Sequence, residues 1–458
     1  MQISVVNYSE VKKSPYFRLD SDYWHPEFIQ NSKIVSPSLL IKDVVTKNIQ
    51  NIKSSPRNNN FQYLEISRIS LTVSDYEPIE VRVGEEPDRA HYILKKGDIA
   101  VSTVRPNRNA VAFIKHNEVI GSSGLSILRS DVIIPEYLYI FCKTNYFKKC
   151  LIRANKATMY PAVSNSDILD TPIFVPSVNF QEVIRDIAQK GFAQLEETAT
   201  LCKQAENILL SELGLTHWQP KHQLTFIKNY SDTVQTGRID ADYYQPKYEE
   251  LVKAIQSYSG GWDELKNLAT IKDKNFEPKN KKQYKYIELA NIAGWGEISD
   301  YMVEYGQSLP TRARRKVSTG DVVVSSIEGS LSHIAIIEKQ FNNELCSTGF
   351  HVVEPTYFNS ETLLVLMKSF VGQLQLKKGC CGTILTSISK KEVEKIALPK
   401  IQKTKQNQIR QKITESFNLR KQSRHLLECA KRGVEIAIEQ NEQTAIQWLE
   451  NEINKIQK

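Results

Sequence analysis

Long apolar stretches and paired cysteines are both missing from this chain. No window approaches about 18 uninterrupted apolar residues, so the sequence predicts no transmembrane helix. Residues 1–8 lack a basic region followed by an apolar run, which argues against a secretory signal. The 7 cysteines are scattered, with no CxxC pair and no nearby histidine ligands. We therefore expect reduced thiols in the cytoplasm, with neither a disulfide framework nor a zinc site.

Sequence signatures of catalysis are missing as well. The chain has no glycine-rich phosphate loop of the GxGxxG or Walker type, no HExxH and no GxSxG. It also lacks the Asp/Asn-Pro-Pro-Tyr/Phe motif with which an amino-methyltransferase holds its target amine. The 8 histidines are dispersed, and no two of them stand three or four residues apart. We therefore expect a chain that is not catalytic by itself and that holds no cofactor and no metal.

The composition is that of a soluble globular protein with a modest basic excess. Of its 458 residues, 41% are hydrophobic and 24% are charged, which is ordinary for globular domains. The length is sufficient for about two to four domains, each with its own core. A net charge of +8 suits a polyanion as partner, although many enzymes are equally basic.

The most informative feature that is present is a long internal repeat. RLDSDYWHP at 18–26 returns as RIDADYYQP at 238–246, an offset of 220. KGDIAVS at 96–102 returns as TGDVVVS at 319–325, and YLEI at 63–66 returns as YIEL at 286–289, both at an offset of 223. A period this long indicates a duplicated domain rather than a solenoid of short repeats.

Each repeat combines short strands with helices. β-branched runs at 99–104 and 322–327 follow a Gly-Asp turn signal, and a second strand follows each of them at 110–114 and 334–337. Helical stretches come later in each repeat, at 135–149 and 360–376. The pattern therefore predicts two globular modules of mixed α/β structure.

Each repeat ends in a long helical segment with an apolar seam at helical spacing. The seam of the first copy consists of Ile184, Ala188, Gly191, Leu195, Thr198, Cys202, Ala205 and Leu209. The second copy, at an offset of 225, has Ile409, Ile413, Ser416, Arg420, Ser423, Leu427, Ala430 and Val434. Small residues near the middle favour close approach, so we predict two paired helices, antiparallel to each other. A helix of about 34 residues is about 50 Å long, which would make the pair a rigid spacer.

These features predict an α+β fold with two mixed α/β modules in pseudo-twofold tandem repeat, separated by two long antiparallel helices. The expected boundaries are 1–178 for the first module, 179–214 for the central helix, 215–400 for a linker and the second module, and 401–458 for the distal helix with its C-terminal extension. The extension after 435 has no match in the first repeat, and it is either a frayed tail or a docking surface for a partner protein.

The duplicated opening motif, the Gly-Asp strand elements and the terminal helices resemble those of type I restriction-modification specificity subunits. This resemblance covers essentially the whole chain in its order of module, helix, module and helix. It implies two target-recognition domains, each of which reads one half of a bipartite, asymmetric DNA site, with helices that set the gap. It further implies double-stranded DNA and two methyltransferase subunits as partners, with restriction and translocase subunits joined through them. Catalysis would then belong to these partner subunits.

Candidate DNA-binding residues lie in loops that differ between the repeats. Arginine suits guanine, asparagine suits adenine, and glutamate suits the amino group of cytosine in the major groove. The first repeat offers Arg105, Asn107, Arg108 and Asn109, and the second offers Glu328, Ser330, Ser332 and His333. The alternative for these residues is a solvated hairpin tip.

Other candidates would contact phosphate, sugar or a base face. They are Arg89 and His91 with their counterparts Arg312, Arg314 and Arg315, then Thr158 and Tyr160 with Thr383 and Thr386, and finally Lys377. Arg314 and Arg315 are equally compatible with an exposed charge pair, and Tyr160 with a core position.

Two further interpretations remain open. The Asp-x-Asp pairs of the opening motifs, Asp20 with Asp22 and Asp240 with Asp242, would suit a metal, although carboxylates that cap backbone amides in a turn explain them better. The alternatives to DNA recognition are a helical scaffold protein and a two-lobed hydrolase with a site between the repeats.

Overall fold

The structure is a computed structural model that describes residues 4–14, 17–34, 39–46, 49–52, 59–71, 76–155, 160–381 and 386–456. It divides into two compact units. Unit 1 comprises residues 1–195 and 420–458, and unit 2 comprises residues 196–419. Thr158 and Thr383 lie outside the described residues, so their predicted role has no structural account.

Unit 1 opens with a mixed set of short helices and strands. In chain order they are α1 (Tyr8–Lys13), α2 (Pro26–Ile34), β1 (Leu39–Leu40), α3 (Ile41–Val44), β2 (Phe61–Leu64), β3 (Ile79–Val81), β4 (Ala90–Leu94), β5 (Ile99–Ser102), β6 (Val111–Phe113), β7 (Val119–Ser122), β8 (Leu125–Leu128), α4 (Pro135–Lys143), α5 (Asn145–Ala154), α6 (Asn165–Leu169) and β9 (Pro172–Ile173). The long helix α7 (Val178–Glu212) follows.

Unit 2 repeats this order with additional short elements. They are α8 (Tyr230–Thr236), α9 (Pro246–Gln256), β10 (Trp262–Glu264), α10 (Leu265–Leu268), β11 (Ala269–Lys272), β12 (Gln283–Ile287), β13 (Ile292–Ala293), β14 (Glu297–Ile298), β15 (Met302–Tyr305), β16 (Ala313–Lys316), β17 (Val322–Ser325), β18 (Ile334–Ile336), β19 (Leu345–Ser347), β20 (Phe350–Pro355), α11 (Ser360–Lys368), α12 (Phe370–Gly379), β21 (Cys380–Cys381), β22 (Ser387–Ile388), α13 (Lys390–Glu394) and β23 (Ala397–Pro399). The chain ends with α14 (Lys403–Glu439) and α15 (Glu442–Ile456).

The two units share their sheet topology. One sheet has the strand order β3-β2-β7-β4 in unit 1 and β15-β12-β19-β16 in unit 2. In both, the pair at the centre of the sheet is parallel, and the flanking pairs are antiparallel. A second, antiparallel sheet has the order β6-β5-β8 in unit 1, and β18-β17-β20 with β11 added at the edge in unit 2. The repeat in the sequence is therefore a repeat of the fold, and the α+β class is confirmed.

A Gly-Asp turn places the central strand β5 or β17 in each unit. Gly97 and Gly320 have φ of +91° and +89°, a left-handed conformation that favours glycine. The next residue turns its carboxylate back, so that Asp98 accepts from the amide of Lys95 at 2.7 Å and Asp321 accepts from that of Ser318 at 2.8 Å. The same local chemistry therefore starts both strands.

The buried aspartates of these turns have different counter-ions. Arg129 donates to both carboxylate oxygens of Asp98 at 2.7 Å, whereas the Lys272 ammonium lies 2.8 and 3.1 Å from those of Asp321. Burial raises the pKa of Asp321. Both repeats therefore have an ion pair at this aspartate, but the cation comes from a different part of each repeat.

The long helices pack against each other within each unit. In unit 1, Ser423 Oγ donates to the Gly191 carbonyl at 2.7 Å, and Gln194 bonds to Gln422 at 3.0 Å. A Cβ atom on Gly191 would lie 3.1 Å from Leu427 Cγ, so the glycine permits this close approach. Residue numbers rise along α7 as they fall along α14, which confirms the antiparallel pairing.

In unit 2 the same two helices also run antiparallel. Thr198 Oγ1 donates to the Ser416 carbonyl at 3.3 Å, and Lys405 forms an ion pair with Glu212 at 3.4 Å. Thr198 and Ser416, in the polar middle of the seam, are thus hydrogen-bonded across the helix pair.

The C-terminal extension is folded. α15 buries Ala445 and Leu449 in the core of unit 1. The carboxylate of Glu442 accepts a bond from the Ser177 amide at 2.9 Å. The frayed-tail interpretation is therefore wrong, because this helix is held at both its apolar face and its N-terminal end.

The Gly-Asp turn of unit 2 yields a stability prediction. Gly320→Ala should lower the free energy of unfolding by about 1–2 kcal/mol, because φ near +89° is strained for any residue with a Cβ atom. Chemical denaturation of the full chain measures this. Gly329→Ala is the matched control, since its added Cβ meets no atom within 4 Å and its φ is not left-handed. Equal losses in the two variants would contradict the account of the turn.

Candidate nucleic-acid interface

Two loops occupy the same position in the two units. We call them the tip loops; they are residues 105–109 between β5 and β6, and residues 328–333 between β17 and β18. The amide of Arg105 donates to the Pro161 carbonyl at 2.7 Å, and that of Glu328 donates to the Thr386 carbonyl at 3.0 Å. Each tip loop is thereby joined to a segment later in the chain, which we call the downstream loop; of it the structure describes Tyr160 and Pro161 in unit 1 and Thr386 in unit 2.

The tip loop of unit 1 presents polar side chains to solvent. Arg105, Asn107 and Arg108 are exposed, whereas Pro106 is buried. Arg105 has φ 52° and ψ 60°, a left-handed conformation that costs about 1–2 kcal/mol for a residue other than glycine. Neither arginine forms an ion pair with another residue that the structure describes. The loop therefore offers two cations that are available to an anionic or hydrogen-bond-accepting partner.

Asn109 is placed differently from the sequence expectation. Its side chain is only 8% exposed, and its amide nitrogen donates to the Lys143 carbonyl at 3.3 Å. Its φ of 51° is also left-handed, a conformation that asparagine tolerates better than most residues. This placement does not fit the base-reading role predicted for Asn109, because a side chain engaged inside the fold cannot reach a base edge.

The tip loop of unit 2 has another chemistry. Glu328 is half-buried, and the Thr386 hydroxyl donates to its carboxylate. Ser330 shares a hydrogen bond with Ser325 at 2.9 Å, so its hydroxyl is partly engaged. Ser332 is exposed and His333 is half-buried. The loop therefore combines an oriented carboxylate with an exposed serine where the first unit has arginines.

Upstream of the tip loops, one arginine in each unit makes the same backbone hydrogen bond as its counterpart in the other unit. The carbonyl of Arg89 accepts from the Ser123 amide at 2.7 Å, and that of Arg312 accepts from the Thr348 amide at 2.9 Å. Both side chains are exposed. His91 is half-buried, with its ring 3.1 Å from the side-chain nitrogen of Asn51.

Arg314 and Arg315 have partners within the fold. Arg314 forms an ion pair with Glu277, and Arg315 donates to the side-chain oxygen of Asn275 at 2.9 Å. Both side chains are half-buried. This placement does not fit the phosphate-clamp role predicted for them, because a phosphate would have to displace these partners. Arg312 is the remaining candidate of the three.

Two exposed groups lie within or shortly before the downstream loops. Tyr160 is 71% exposed, so its ring is not a core residue. Lys377 is exposed near the end of α12. Thr386, in contrast, is engaged with Glu328.

The opening motif clamps the chain that leads into each downstream loop. Arg18 pairs with Asp20 at 2.8 Å and donates to the Asn155 carbonyl at 3.1 Å. Arg238 pairs with Asp240 at 2.6 Å and donates to the Cys380 carbonyl at 3.1 Å. In each unit a further cation lies over a tyrosine ring of the opening motif. Arg153 is 4.3 Å from the Tyr23 ring centroid, and Lys378 is 4.9 Å from the Tyr243 ring centroid.

The aspartates of this motif act in a turn. The Tyr23 amide donates to Asp20 at 2.9 Å, as the turn interpretation predicted. The Arg18 guanidinium holds the pKa of Asp20 down at about 2, and Arg238 likewise lowers the pKa of Asp240. Among the described residues no cluster of three or more His, Cys, Asp or Glu is arranged to hold a metal ion.

Two lysines that sequence reasoning missed contact the backbone of the tip loops. Lys143 and Lys368, at the ends of α4 and α11, donate to the carbonyls of Asn109 and Ser332 respectively. Burial lowers the pKa of Lys143 to about 8. The repeat offset of 225 between the two lysines was a signal that could have found them.

A cysteine and a histidine on α14 lie close enough to be compared with a nucleophile and its base. Cys429 Sγ lies 3.6 Å from His425 Nε2. Burial raises the pKa of Cys429 to about 11, so the thiol is protonated near neutral pH. A protonated thiol is a poor nucleophile, and this pair gives the hydrolase alternative no support.

Comparison with known proteins matches part of the chain to a curated sequence. The chain is 25% identical over 138 residues to the "Type I restriction enzyme HindI specificity subunit" of Haemophilus influenzae. The match covers 28% of this chain and spans only 27% of the length of that relative. No protein-family model matches. The chain is similar to a type I specificity subunit.

Solved structures of the same kind align over most of the chain. The HsdS subunit from Thermoanaerobacter tengcongensis aligns over 88% of this chain and 96% of its own, at 18% identity and a TM-score of 0.33. The type I S subunit from M. genitalium aligns over 91% of this chain and 95% of its own, at 13% identity and a TM-score of 0.32. Scores this low do not establish a common overall structure. Within the described residues, no helix has both the length and the apolar character needed to cross a membrane.

The lowered pKa of Asp20 predicts a pH dependence. A carboxyl whose pKa falls on folding, here from about 3.9, adds stability above about pH 4 that is lost as the pH falls towards 2. Asp20→Asn should therefore destabilise the chain near pH 6, and its difference from the unmodified chain should shrink between about pH 5 and 2.5. Chemical denaturation at each pH measures this.

The control for this prediction removes the cation. In an Arg18→Met background, the effect of Asp20→Asn should depend less on pH in that range, because backbone hydrogen bonds such as that from the Tyr23 amide are then left to lower the pKa of Asp20. A difference that stays constant in the unmodified background would show that the Arg18 contact does not control Asp20.

Proposed function

We propose that this chain is the DNA specificity subunit of a type I restriction-modification enzyme, and that each unit reads one half of a bipartite, asymmetric site. One observation carries the proposal. The tip loops have equivalent backbone bonds in the two units but different side chains, with Arg105 where unit 2 has Glu328. A fold that is used twice with different exposed chemistry is suited to reading two different half-sites.

The side chains of the tip loops suit base edges of opposite hydrogen-bonding character. Arg105 and Arg108 present only donors, which match O6 and N7 of guanine. Asn107 matches adenine, and the Glu328 carboxylate accepts from the amino group of cytosine. The Thr386 hydroxyl orients that carboxylate before DNA arrives. Preorganised groups of this kind lose less conformational entropy on binding.

Phosphate and sugar contacts would come from the exposed groups around the tip loops. Arg89, Arg312 and Lys377 supply positive charge, and the Tyr160 ring supplies a stacking surface. Such contacts position a protein on DNA without specifying sequence.

The proposed partners are those that this role requires. Two methyltransferase subunits would methylate adenine, and restriction and translocase subunits would join through them. The chain itself is non-catalytic and needs no cofactor, and it acts in the cytoplasm where the DNA is. The antiparallel helices α7 and α14 set the gap between the half-sites and contribute to methyltransferase docking.

Exposed apolar side chains recur in both units at offsets of 220 and 222 and suit two copies of one partner. They are Val5, Tyr8 and Leu19 in unit 1, and Ile227, Tyr230 and Ile239 in unit 2, and we call each set an apolar surface. Each of these six side chains is between 64% and 95% exposed. Large exposed apolar residues that recur together mark interaction sites more often than isolated ones do.

DNA binding tests the recognition role. The chain with its methyltransferase partner should protect one bipartite, asymmetric site in footprinting and direct adenine methylation there. Arg105→Ala or Arg108→Ala should lose about 1–3 kcal/mol of binding free energy, confined to one base position of one half-site, if the arginine reads that base. Titration against sites with single base changes measures this.

Arg185→Ala is the control for general loss of positive charge, because that arginine is paired with Asp186 on α7. Protection that ignores sequence would contradict the proposal. No binding of DNA at all would favour the scaffold alternative.

The apolar surfaces predict the stoichiometry of the complex. Leu19→Glu or Ile239→Glu should each remove one of the two methyltransferase subunits, because a charge in an apolar interface must be desolvated without a partner. Native mass spectrometry would then show one methyltransferase per chain in place of two. Val132→Glu, at another exposed apolar residue, should leave two bound. Two subunits bound to all three variants would exclude these surfaces as the docking sites.

A further inference from the structure

Lys143 and Lys368 make the same pair of contacts in the two units. Lys368 Nζ donates to the carbonyls of Gly294 and Ser332, both at 2.8 Å. Lys143 Nζ donates to the carbonyls of Leu71 and Asn109, both at 3.4 Å. The lysines are related by an offset of 225, and both pairs of acceptor residues are related by 223. The contact is therefore part of the repeated framework, although no pair of acceptors is of the same residue type.

Each lysine joins two segments that come from separate parts of its unit. Ser332 belongs to the tip loop of unit 2, and Gly294 belongs to the turn between β13 and β14. In unit 1, Asn109 belongs to the tip loop, and Leu71 belongs to the segment between β2 and β3. An ammonium group has three donors and no acceptor, so it can bind two carbonyls at once. A lysine is therefore suited to holding two loops at a fixed distance.

The helices that carry the lysines are rigid supports. Residues 137–142 of α4 and 362–367 of α11 are all buried. The turn of unit 2 also lies against α11, since a Cβ on Gly296 would approach Leu364 Cδ1 to 2.7 Å. A lysine at a helix C-terminus interacts favourably with the helix dipole. The ammonium thus projects from a fixed point in the core towards the loops.

We propose that Lys143 and Lys368 are positioning residues for DNA recognition that do not contact DNA. Each holds the tip loop of its own unit at a fixed distance from another segment, which is at Leu71 in unit 1 and at Gly294 in unit 2. This inference rests on the proposed function. Lys368 serves the half-site read by unit 2, and Lys143 serves the half-site read by unit 1. Hydrophobic packing alone would not require a cation here, because burying a charge costs free energy that an apolar side chain avoids.

The test uses the full chain with its methyltransferase partner. Lys368→Met keeps an unbranched side chain of similar length and removes its donors. It should lower the preference for the cognate base by about 10-fold in the half-site of unit 2, a typical effect of a misplaced base contact. Preference in the other half-site should be unchanged, and binding to non-specific DNA should change by less than about 2-fold, because phosphate contacts carry that binding. Titration against single-base variants of both half-sites measures this.

Lys143→Met is the matched control in the other unit. It should relax only the half-site of unit 1, and by a smaller factor, because its hydrogen bonds are longer. Lys368→Arg retains charge and donors and should restore part of the preference. A purely structural role would instead lower preference and affinity at both half-sites together, with a lower melting temperature.

Several outcomes would overturn the inference. They are unchanged base preference in both Met variants, equal loss at both half-sites, or a Lys368→Arg variant no better than Lys368→Met. If Lys368→Met does not fold, Lys143→Met and Lys368→Arg decide the question by the same measurements. If the unmodified chain shows no sequence preference, the proposed function fails instead, so the two failures are distinguishable.

Discussion

The framework of each unit depends on a buried aspartate that follows a left-handed glycine. Asp98 and Asp321 are almost completely buried, and each accepts a backbone bond and meets a cation. An unpaired carboxylate in such a place would cost several kcal/mol, so the turn has very little freedom to shift. The central strands β5 and β17 begin at these turns and end at the tip loops. The position of each tip loop therefore depends on the Gly-Asp turn at the other end of β5 or β17.

Other contacts of the framework act on the same region of each unit. The opening motif holds the chain before the downstream loop through one arginine and one carbonyl. Lys143 and Lys368 hold the tip loop from the side of the helices. In these contacts the arginines and lysines donate to backbone carbonyls and not to side chains. Because the backbone carbonyl is common to all residues, the side chains of the loops are free to diverge while the loop positions are retained.

The sequence predicted the large features well because they depend on local patterns. Helical spacing over about 34 residues predicted α7 and α14, and the Gly-Asp signal predicted both strand starts. It was less successful with individual loop residues. Asn109 is bonded inside the fold, and Arg314 and Arg315 have partners in Glu277 and Asn275. These partners are 34 to 40 residues away in the chain, so no local pattern indicates them.

The sequence by itself determined that there are two related units, where their Gly-Asp strands and long helices lie, and that their loops differ in chemistry. These properties follow from residue type and spacing along the chain. Only the tertiary structure decided which loop side chains face solvent, that the C-terminal helix packs on unit 1, and that two lysines contact the tip loops. Those outcomes depend on which distant segments come within hydrogen-bonding distance, and such proximity is set by the packing of the whole unit.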